Sequence, residues 1–119
     1  MTKNKLKFQC MPKRFRIWDN KNKETYSGCS IDEAAKLFKL IGKENAAIFQ
    51  DTGLKDKNGD EIFEGDIISA RGETYQVYWD EEVATWRALG DDWDDLYCIA
   101  REAEIIGNIF ANPELLEKV

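Results

Sequence analysis

Apolar and polar residues alternate along much of this chain, a pattern typical of short β-strands with one buried face. The clearest run is residues 74–79, in which Tyr75, Val77 and Trp79 would share a face. Similar alternation, or a short apolar run, predicts further strands at residues 15–18, 24–26, 46–50, 62–63, 67–70, 84–88, 96–100 and 105–110. The chain is therefore predicted to be mainly β.

One segment has helical spacing instead. Ser30-Ile31-Asp32-Glu33 has the sequence of a capping box, in which the Ser30 hydroxyl and the Glu33 carboxylate each accept a backbone N–H of the other residue. Gly42 is a candidate C-terminal stop. These signals predict a helix over about residues 31–41, and the residues expected on its apolar face are Ile31, Ala34, Ala35, Phe38 and Ile41. The pair Asn112-Pro113 predicts a short helical turn near the C-terminus, with Asn112 as the N-cap.

Glycines mark the predicted turns and corners. Asn58-Gly59 is a strong hairpin signal, because a type I′ turn needs positive φ at both central residues. Gly65 lies between two apolar runs and predicts a bulge or corner, which lets a short sheet curl. We therefore expect a β-rich α+β fold with a small bent sheet or barrel-like core, and a single domain over residues 13–119.

Composition excludes several kinds of chemistry. The 119 residues include no His, so Ser-His-Asp or Cys-His nucleophile systems and His-ligated metal sites are ruled out. Cys10, Cys29 and Cys98 form no C-x-x-C motif, which indicates neither a disulfide framework nor a zinc site. The sequence has no signal-peptide core and no membrane-spanning run. We expect a cytoplasmic protein with no cofactor and no membrane contact.

Charge is unevenly distributed. The first 23 residues contain eight basic residues and one acidic residue, whereas the rest of the chain contains nine basic and 22 acidic residues. Residues 1–12 are predicted to be a flexible basic leader, which is either solvated without a partner or able to meet phosphates. The acidic remainder argues against a large DNA-binding face. The candidate nucleic-acid contacts are Lys3, Lys5, Lys7, Lys13, Arg14 and Arg16.

Three segments resemble the YopX-like family of bacteriophage and prophage proteins. They are residues 15–19 followed by Tyr26, residues 50–67, and residues 104–116, of which the middle one is the most specific. The resemblance implies a mostly β fold around a barrel-like sheet and expression in the cytoplasm of an infected or lysogenic bacterium. It also implies self-association into a homo-oligomer, and it carries over no catalytic residues.

The densest acidic cluster surrounds a tryptophan. One interpretation is a protein-binding patch that imitates the charge of nucleic acid; others are a divalent-metal site and paired-carboxylate acid/base chemistry. The alternative is that these residues form no functional site and lie in two solvated loops, whose charges discourage aggregation through edge strands. The cluster consists of Asp91, Asp92, Trp93, Asp94 and Asp95, and is preceded by Asp80, Glu81 and Glu82.

The tryptophans and one oxygen-rich loop have competing interpretations. Trp79, Trp86 and Trp93 recur every seven residues, and their acidic neighbours favour core or interface packing over base stacking, although an exposed Trp would mark a binding hot spot. Residues 56–61 superficially resemble a calcium loop, but the spacing favours a structural hairpin turn. Cys98 is predicted to pack inertly in a strand.

These observations lead to one expected function and two alternatives. We expect a non-enzymatic protein that binds an unidentified host or phage protein through Trp93 and its four flanking aspartates. Weak nucleic-acid association through the basic N-terminal segment is the alternative. A metal-dependent hydrolase that uses the acidic cluster is a third class.

Overall fold

The computed structural model describes residues 14–117, which form two antiparallel sheets and short helices. The elements are β1 (Phe15–Asp19), β2 (Glu24–Cys29), α1 (Ile31–Ile41), β3 (Ala46–Lys55), β4 (Glu61–Phe63), β5 (Asp66–Ala70), β6 (Glu73–Asp80), β7 (Thr85–Leu89), β8 (Trp93–Asp95), α2 (Leu96–Ile99) and β9 (Glu104–Asn108). The first sheet has the order β2-β1-β3-β4 and the second β8-β7-β6-β5-β9. The predicted β-rich fold with a bent sheet is confirmed, and the sheet curls into a half-barrel. The predicted leader, residues 1–12, lies outside the described residues.

Helix α1 begins and ends where the sequence predicts. The Glu33 N–H donates to Ser30 Oγ at 3.2 Å, and the Ser30 N–H donates to Glu33 Oε1 at 3.0 Å. At the other end the Gly42 N–H donates to the Phe38 carbonyl at 2.9 Å. The capping box therefore satisfies two N-terminal backbone donors, and Gly42 ends the helix at Ile41.

The buried face of α1 differs from the predicted one. Ala34 is buried, and Leu37 and Ile41 pack against the small core under the helix, whereas Ala35 is exposed and Ile31 is 68% exposed. The first sheet contacts the helix along the stripe at positions 34, 37 and 41, so it does not reach the first turn. The expected placement of Ile31 and Ala35 in the core is therefore wrong.

The larger core lies on one face of the second sheet and is covered by α2, which was predicted as a strand. Leu96 and Ile99 are fully buried, three positions apart, while Tyr97 and Cys98 between them are exposed. A short apolar run cannot distinguish a strand from a buried helical turn, and here packing favours the helix. The strand at 96–100 and the inert packing of Cys98 are both corrected. The core consists of Ile62, Ile68, Ala70, Tyr75, Val77, Ala88, Leu96, Ile99, Ala100 and Ala103.

The β3–β4 hairpin is present, but its turn is not type I′. Within the described chain Gly59 has a φ of 83°, whereas Asn58 is not among the residues with positive φ. The carboxylate of Asp56 accepts the N–H groups of Asn58 and Asp60, both at 2.9 Å, and this fixes a different turn. Residues Arg71 and Gly72, which join β5 to β6, instead have the two positive φ values that a type I′ turn requires.

Strand β3 is longer than predicted and connects the two halves of its sheet. Residues 46–50 pair with β1, and Asp51 and Lys55 pair with β4. Gly53 has a φ of 82° at the irregular part of this pairing, so the strand bends there and continues. Backbone pairing at both ends holds the polar residues 51–53 in the strand, although the sequence predicted that it ends at residue 50.

The corner at Gly65 connects the two sheets, as the sequence predicts. Its φ is 83°, and a Cβ placed there would lie 3.2 Å from Cε1 of Phe49. Immediately after it, the fully buried Asp66 forms an ion pair with Arg16 of β1 and accepts the Phe63 N–H at 2.8 Å. The Arg16 guanidinium also lies over the Phe63 ring, 4.2 Å from its centroid. A backbone corner and a buried ion pair thus link the sheets side by side.

The C-terminal segment forms a short 3₁₀ turn, Pro113–Leu116. Asn112 occupies the N-cap position before Pro113, as predicted, but its side chain caps no helix N–H, because Asn112 Oδ1 accepts the Asn108 N–H at 3.3 Å. Along residues 14–117, no helix combines the length and the apolar character needed to cross a bilayer.

Candidate functional site

An arginine and a tryptophan form an exposed cluster on the face of the second sheet opposite its core. Arg87 pairs with Asp95 of β8, and Leu89 pairs with Trp93, so these four side chains lie on one face. The Arg87 guanidinium lies over the Trp93 ring, with Cζ 3.8 Å from the ring centroid. Trp93 is 49% exposed and Leu89 is 48% exposed. We call Arg87, Leu89, Trp93, Asp95 and Asp80 the Trp93 surface.

Two carboxylates hold the Arg87 side chain in place. Its Nη1 lies 2.7 Å from Asp80 Oδ2, and its Nε lies 3.4 Å from Asp95 Oδ1. Only 16% of the Arg87 side chain is exposed, so the ion pairs are less screened than ordinary surface pairs. The indole therefore rests on a cation whose position is fixed, and about half of Trp93 remains exposed.

The structure brings together only part of the predicted acidic patch. Trp93 and Asp95 lie on the Trp93 surface, but Asp94 pairs with Ala88 and points to the core side of the sheet, where it is half-buried. Asp91 and Asp92 lie in the loop before β8, and Asp92 Oδ1 accepts the Trp93 N–H at 3.1 Å. The sequence prediction did not include Leu89 or Arg87, although the period-two alternation of β7 could have placed both beside Trp93.

The oxygen-rich loop at residues 56–61 is a structural turn. Asp56 is buried; its Oδ1 accepts from Asn58 and Asp60, and its Oδ2 accepts the Ile105 N–H at 3.1 Å. Burial alone would raise the pKa of Asp56, but these N–H donors outweigh burial and lower it. Among residues 14–117, no cluster of three or more carboxylates or thiols is arranged to hold a metal ion.

The basic residues proposed to contact nucleic acid divide into three groups. Lys3, Lys5, Lys7 and Lys13 lie outside the described residues. Arg14 is exposed. Arg16 is engaged with Asp66 and donates to Ser27 Oγ at 3.3 Å, and only 16% of its side chain is exposed. Arg16 is therefore already engaged in joining the two sheets. Nucleic-acid contact through the other five residues stays a prediction.

A second aromatic site lies on the core-facing side of the second sheet, at the edge of the buried core. Trp79 and Trp86 are cross-strand partners there, with ring centroids 5.0 Å apart in an edge-to-face arrangement. Trp79 is 41% exposed. The two rings line a groove of about 830 Å³, the Trp79–Trp86 groove, whose other lining residues are Arg14, Gln50, Asp51, Thr52, Gly53, Lys55, Glu61 and Glu64.

The groove contains a pair of interacting carboxyl groups. A hydrogen bond to Asp51 is the main cause that raises the pKa of Glu61, and burial and the Asp51 charge add to it. Arg14 and Lys55 act in the opposite direction. Sequence reasoning grouped Trp79 and Trp86 with Trp93 by spacing, but strand pairing separates them onto opposite faces of the sheet.

Three comparisons with known proteins bear on this chain. A family model described as YopX protein matches residues 14–117. Comparison with curated proteins finds no significant match. The chain is also similar to protein EF1440 from Enterococcus faecalis, known from a crystal structure, with 26% identity and a TM-score of 0.61 over 88% of this chain and 98% of that one. The family match therefore includes both the Trp93 surface and the Trp79–Trp86 groove.

Proposed function

Because this chain belongs to the YopX family over residues 14–117, we propose that it is a non-enzymatic phage or prophage accessory protein. It acts in the bacterial cytoplasm by binding another protein through the Trp93 surface. The likeness to a protein of Enterococcus faecalis supports a bacterial setting. The proposal assigns no catalytic step, since the chain has no His, and Asp80 and Asp95 are engaged by Arg87.

The observation that carries the proposal is the half-exposed indole of Trp93 on a fixed guanidinium. Tryptophan and arginine are the residues most enriched among binding hot spots. A ring that is already fixed loses little conformational freedom when a partner covers it, so most of the free energy of its burial contributes to affinity. Leu89 beside it enlarges the apolar centre that a partner would cover.

The charges around this centre define the partner. Arg87 is compensated by Asp80 and Asp95, so its immediate surroundings are net negative, and Asp91 and Asp92 add exposed carboxylates at the edge. A complementary partner presents an aromatic or aliphatic side chain to Trp93 and lysine or arginine around it. Such rim charges mainly accelerate association and make it sensitive to salt.

The test compares two tryptophans of similar exposure on opposite faces. The immobilised chain captures its partner from a nuclease-treated bacterial lysate, and the affinity of that partner is then measured for each variant. Trp93→Ala should weaken binding at least about tenfold, as expected for a hot-spot residue. The matched control Trp79→Ala should leave the affinity nearly unchanged.

Charge variants separate the contribution of the acidic edge of the Trp93 surface to binding from that of its apolar centre. Asp91→Asn with Asp92→Asn should slow association and reduce its salt dependence, with a smaller effect on dissociation. Circular dichroism of every variant checks that the fold is retained. Equal affinity of the wild type and Trp93→Ala, or loss of binding in Trp79→Ala alone, would overturn this assignment of the surface.

A further inference from the structure

The Trp79–Trp86 groove has no role in the proposed function, yet it combines two tryptophans with a pair of interacting carboxyl groups. We propose that residues 1–13 of this same chain bind in the groove. This basic segment would thereby cover Trp79 and place a lysine at Asp51 and Glu61. This intramolecular contact is independent of whether the Trp93 surface binds a partner.

The position of Arg14 supports the proposal. Arg14 is the first described residue and also lines the groove, so the preceding segment joins the described structure at the edge of this site. Even a fully extended chain reaches at most about 3.6 Å per residue, and 13 residues are ample to cross a groove of about 830 Å³. The covalent attachment gives the segment an effective concentration in the millimolar range.

Charge also supports this occupant. Residues 1–13 contain Lys3, Lys5, Lys7 and Lys13 and no acidic residue. The groove presents three carboxylates against two cations, and Arg14 and Lys55 do not offset the effect of the Asp51–Glu61 hydrogen bond and of burial on Glu61. An ammonium group inserted there would favour the ionised form of Glu61, which its present hydrogen bond disfavours.

Apolar residues within the segment match the aromatic part of the groove. Leu6 and Phe8 alternate with Lys5 and Lys7, so one side of the segment could contact the indoles while the other meets carboxylates. Trp79 is 41% exposed and Trp86 is partly buried, which leaves ring surface for such contacts. Aromatic and aliphatic contacts would supply the affinity, and the lysines would set the position.

The experiment compares the full chain with a chain that lacks residues 1–12. The four indole N–H signals are recorded by two-dimensional NMR and assigned with single Trp→Phe variants. Deletion should shift the signals of Trp79 and Trp86 and leave that of Trp93 unchanged. A synthetic peptide of residues 1–13, added to the shortened chain, should restore the original positions.

Peptide variants test the two kinds of contact. A peptide with Leu6→Ala and Phe8→Ala should bind the shortened chain at least about tenfold more weakly, because it buries much less apolar surface against the two indoles. Asp51→Asn with Glu61→Gln in the protein should also weaken binding and reduce its salt dependence. Indole signals that do not respond to the deletion would overturn the proposal. So would shifts that appear only at concentrations where light scattering detects a dimer, because the segment would then bind a second copy.

Discussion

Asp56 and Asp66 are both buried aspartates close to turns, yet their surroundings have opposite effects on their ionisation. Asp56 accepts three backbone N–H groups, and these lower its pKa despite its burial. Asp66 accepts one backbone N–H and faces Arg16, but the cost of burial dominates and raises its pKa to about 6. Three directed N–H donors therefore outweigh burial at Asp56, whereas at the fully buried Asp66 one N–H and a guanidinium do not.

The difference explains what these carboxylates do in the segment that most resembles the YopX-like pattern. Asp56 fixes the β3–β4 turn and attaches it to β9 through Ile105. Asp66 connects the two sheets at the corner after Gly65. The oxygen-rich residues 56–61, which superficially resemble a calcium loop, are accounted for by turn formation.

Removal of the Asp66 side chain should have the largest effect. Asp66→Ala leaves the Arg16 guanidinium, which is 16% exposed, without its carboxylate, and it leaves the Phe63 N–H without an acceptor. Loss of one partner of a buried pair costs about 3–5 kcal/mol, and urea denaturation would measure this fall in the free energy of unfolding. Asp66→Asn keeps an acceptor and should cost less. An unchanged denaturation midpoint in Asp66→Ala would contradict the role of the pair.

The pH dependence of stability should show the contrast between the two aspartates directly. The pKa of Asp66 is about 6 in the folded chain and about 3.9 in an unfolded one. Between these values the folded state holds a proton that the unfolded state has released, so the free energy of unfolding falls as pH rises, by about 3 kcal/mol in total. Asp56 has the opposite sign, because its contribution is lost as pH falls below its unfolded pKa.

Asp66→Asn isolates that contribution. This variant should have a flatter stability profile between pH about 4 and pH about 6 than the wild type, measured by urea denaturation at each pH. Parallel profiles of the two proteins across this window would mean that Asp66 does not carry the raised pKa.

Removal of the Asp56 side chain should have a somewhat smaller effect. Asp56→Ala leaves the N–H groups of Asn58, Asp60 and Ile105 without their acceptor, but the turn lies at the surface, where water can replace some of the bonds. We expect a loss of about 2–3 kcal/mol in unfolding experiments. The exposed neighbour Asp60 supplies the control, because Asp60→Ala should change stability by less than about 0.5 kcal/mol.

Replacement of the cation should have the smallest effect. Arg16→Lys keeps the positive charge opposite Asp66 but loses the planar stacking on Phe63 and the hydrogen bond to Ser27. A loss of about 1 kcal/mol is expected by thermal or chemical denaturation. A loss as large as that of Asp66→Ala would show that geometry, more than charge, determines the strength of the junction.

Sequence patterns predicted the elements whose signals are local. The capping box and Gly42 gave both ends of α1, and Gly65 gave the corner. The turn type at Asn58-Gly59 was missed because the Asp56 carboxylate competes with the usual hairpin geometry. The helix at 96–99 was missed because four apolar residues fit either period, and only the core selects the faces of Leu96 and Ile99.

The sites depended more on long-range contacts. The sequence predicts that an exposed Trp would mark a binding hot spot, but the Arg16–Asp66 pair joins residues fifty positions apart, and no local pattern connects them. Arg16 was therefore predicted to be a nucleic-acid contact. The division of Trp79 and Trp93 between opposite faces likewise follows from the register of β6, β7 and β8, which spacing along the chain does not determine.

Strand β3 has a consequence for how the molecule loses its structure. Its first half is hydrogen-bonded to β1, and its second half to β4, with no linker between them. The small core under α1 packs on the first sheet, and Ile62 of β4 belongs to the large core, so this sheet contributes to both cores, and the Gly65 corner and the Arg16–Asp66 pair join it to the second sheet. Unfolding of the first sheet would remove residues from both cores, so heating should give a single calorimetric peak whose calorimetric and van't Hoff enthalpies agree.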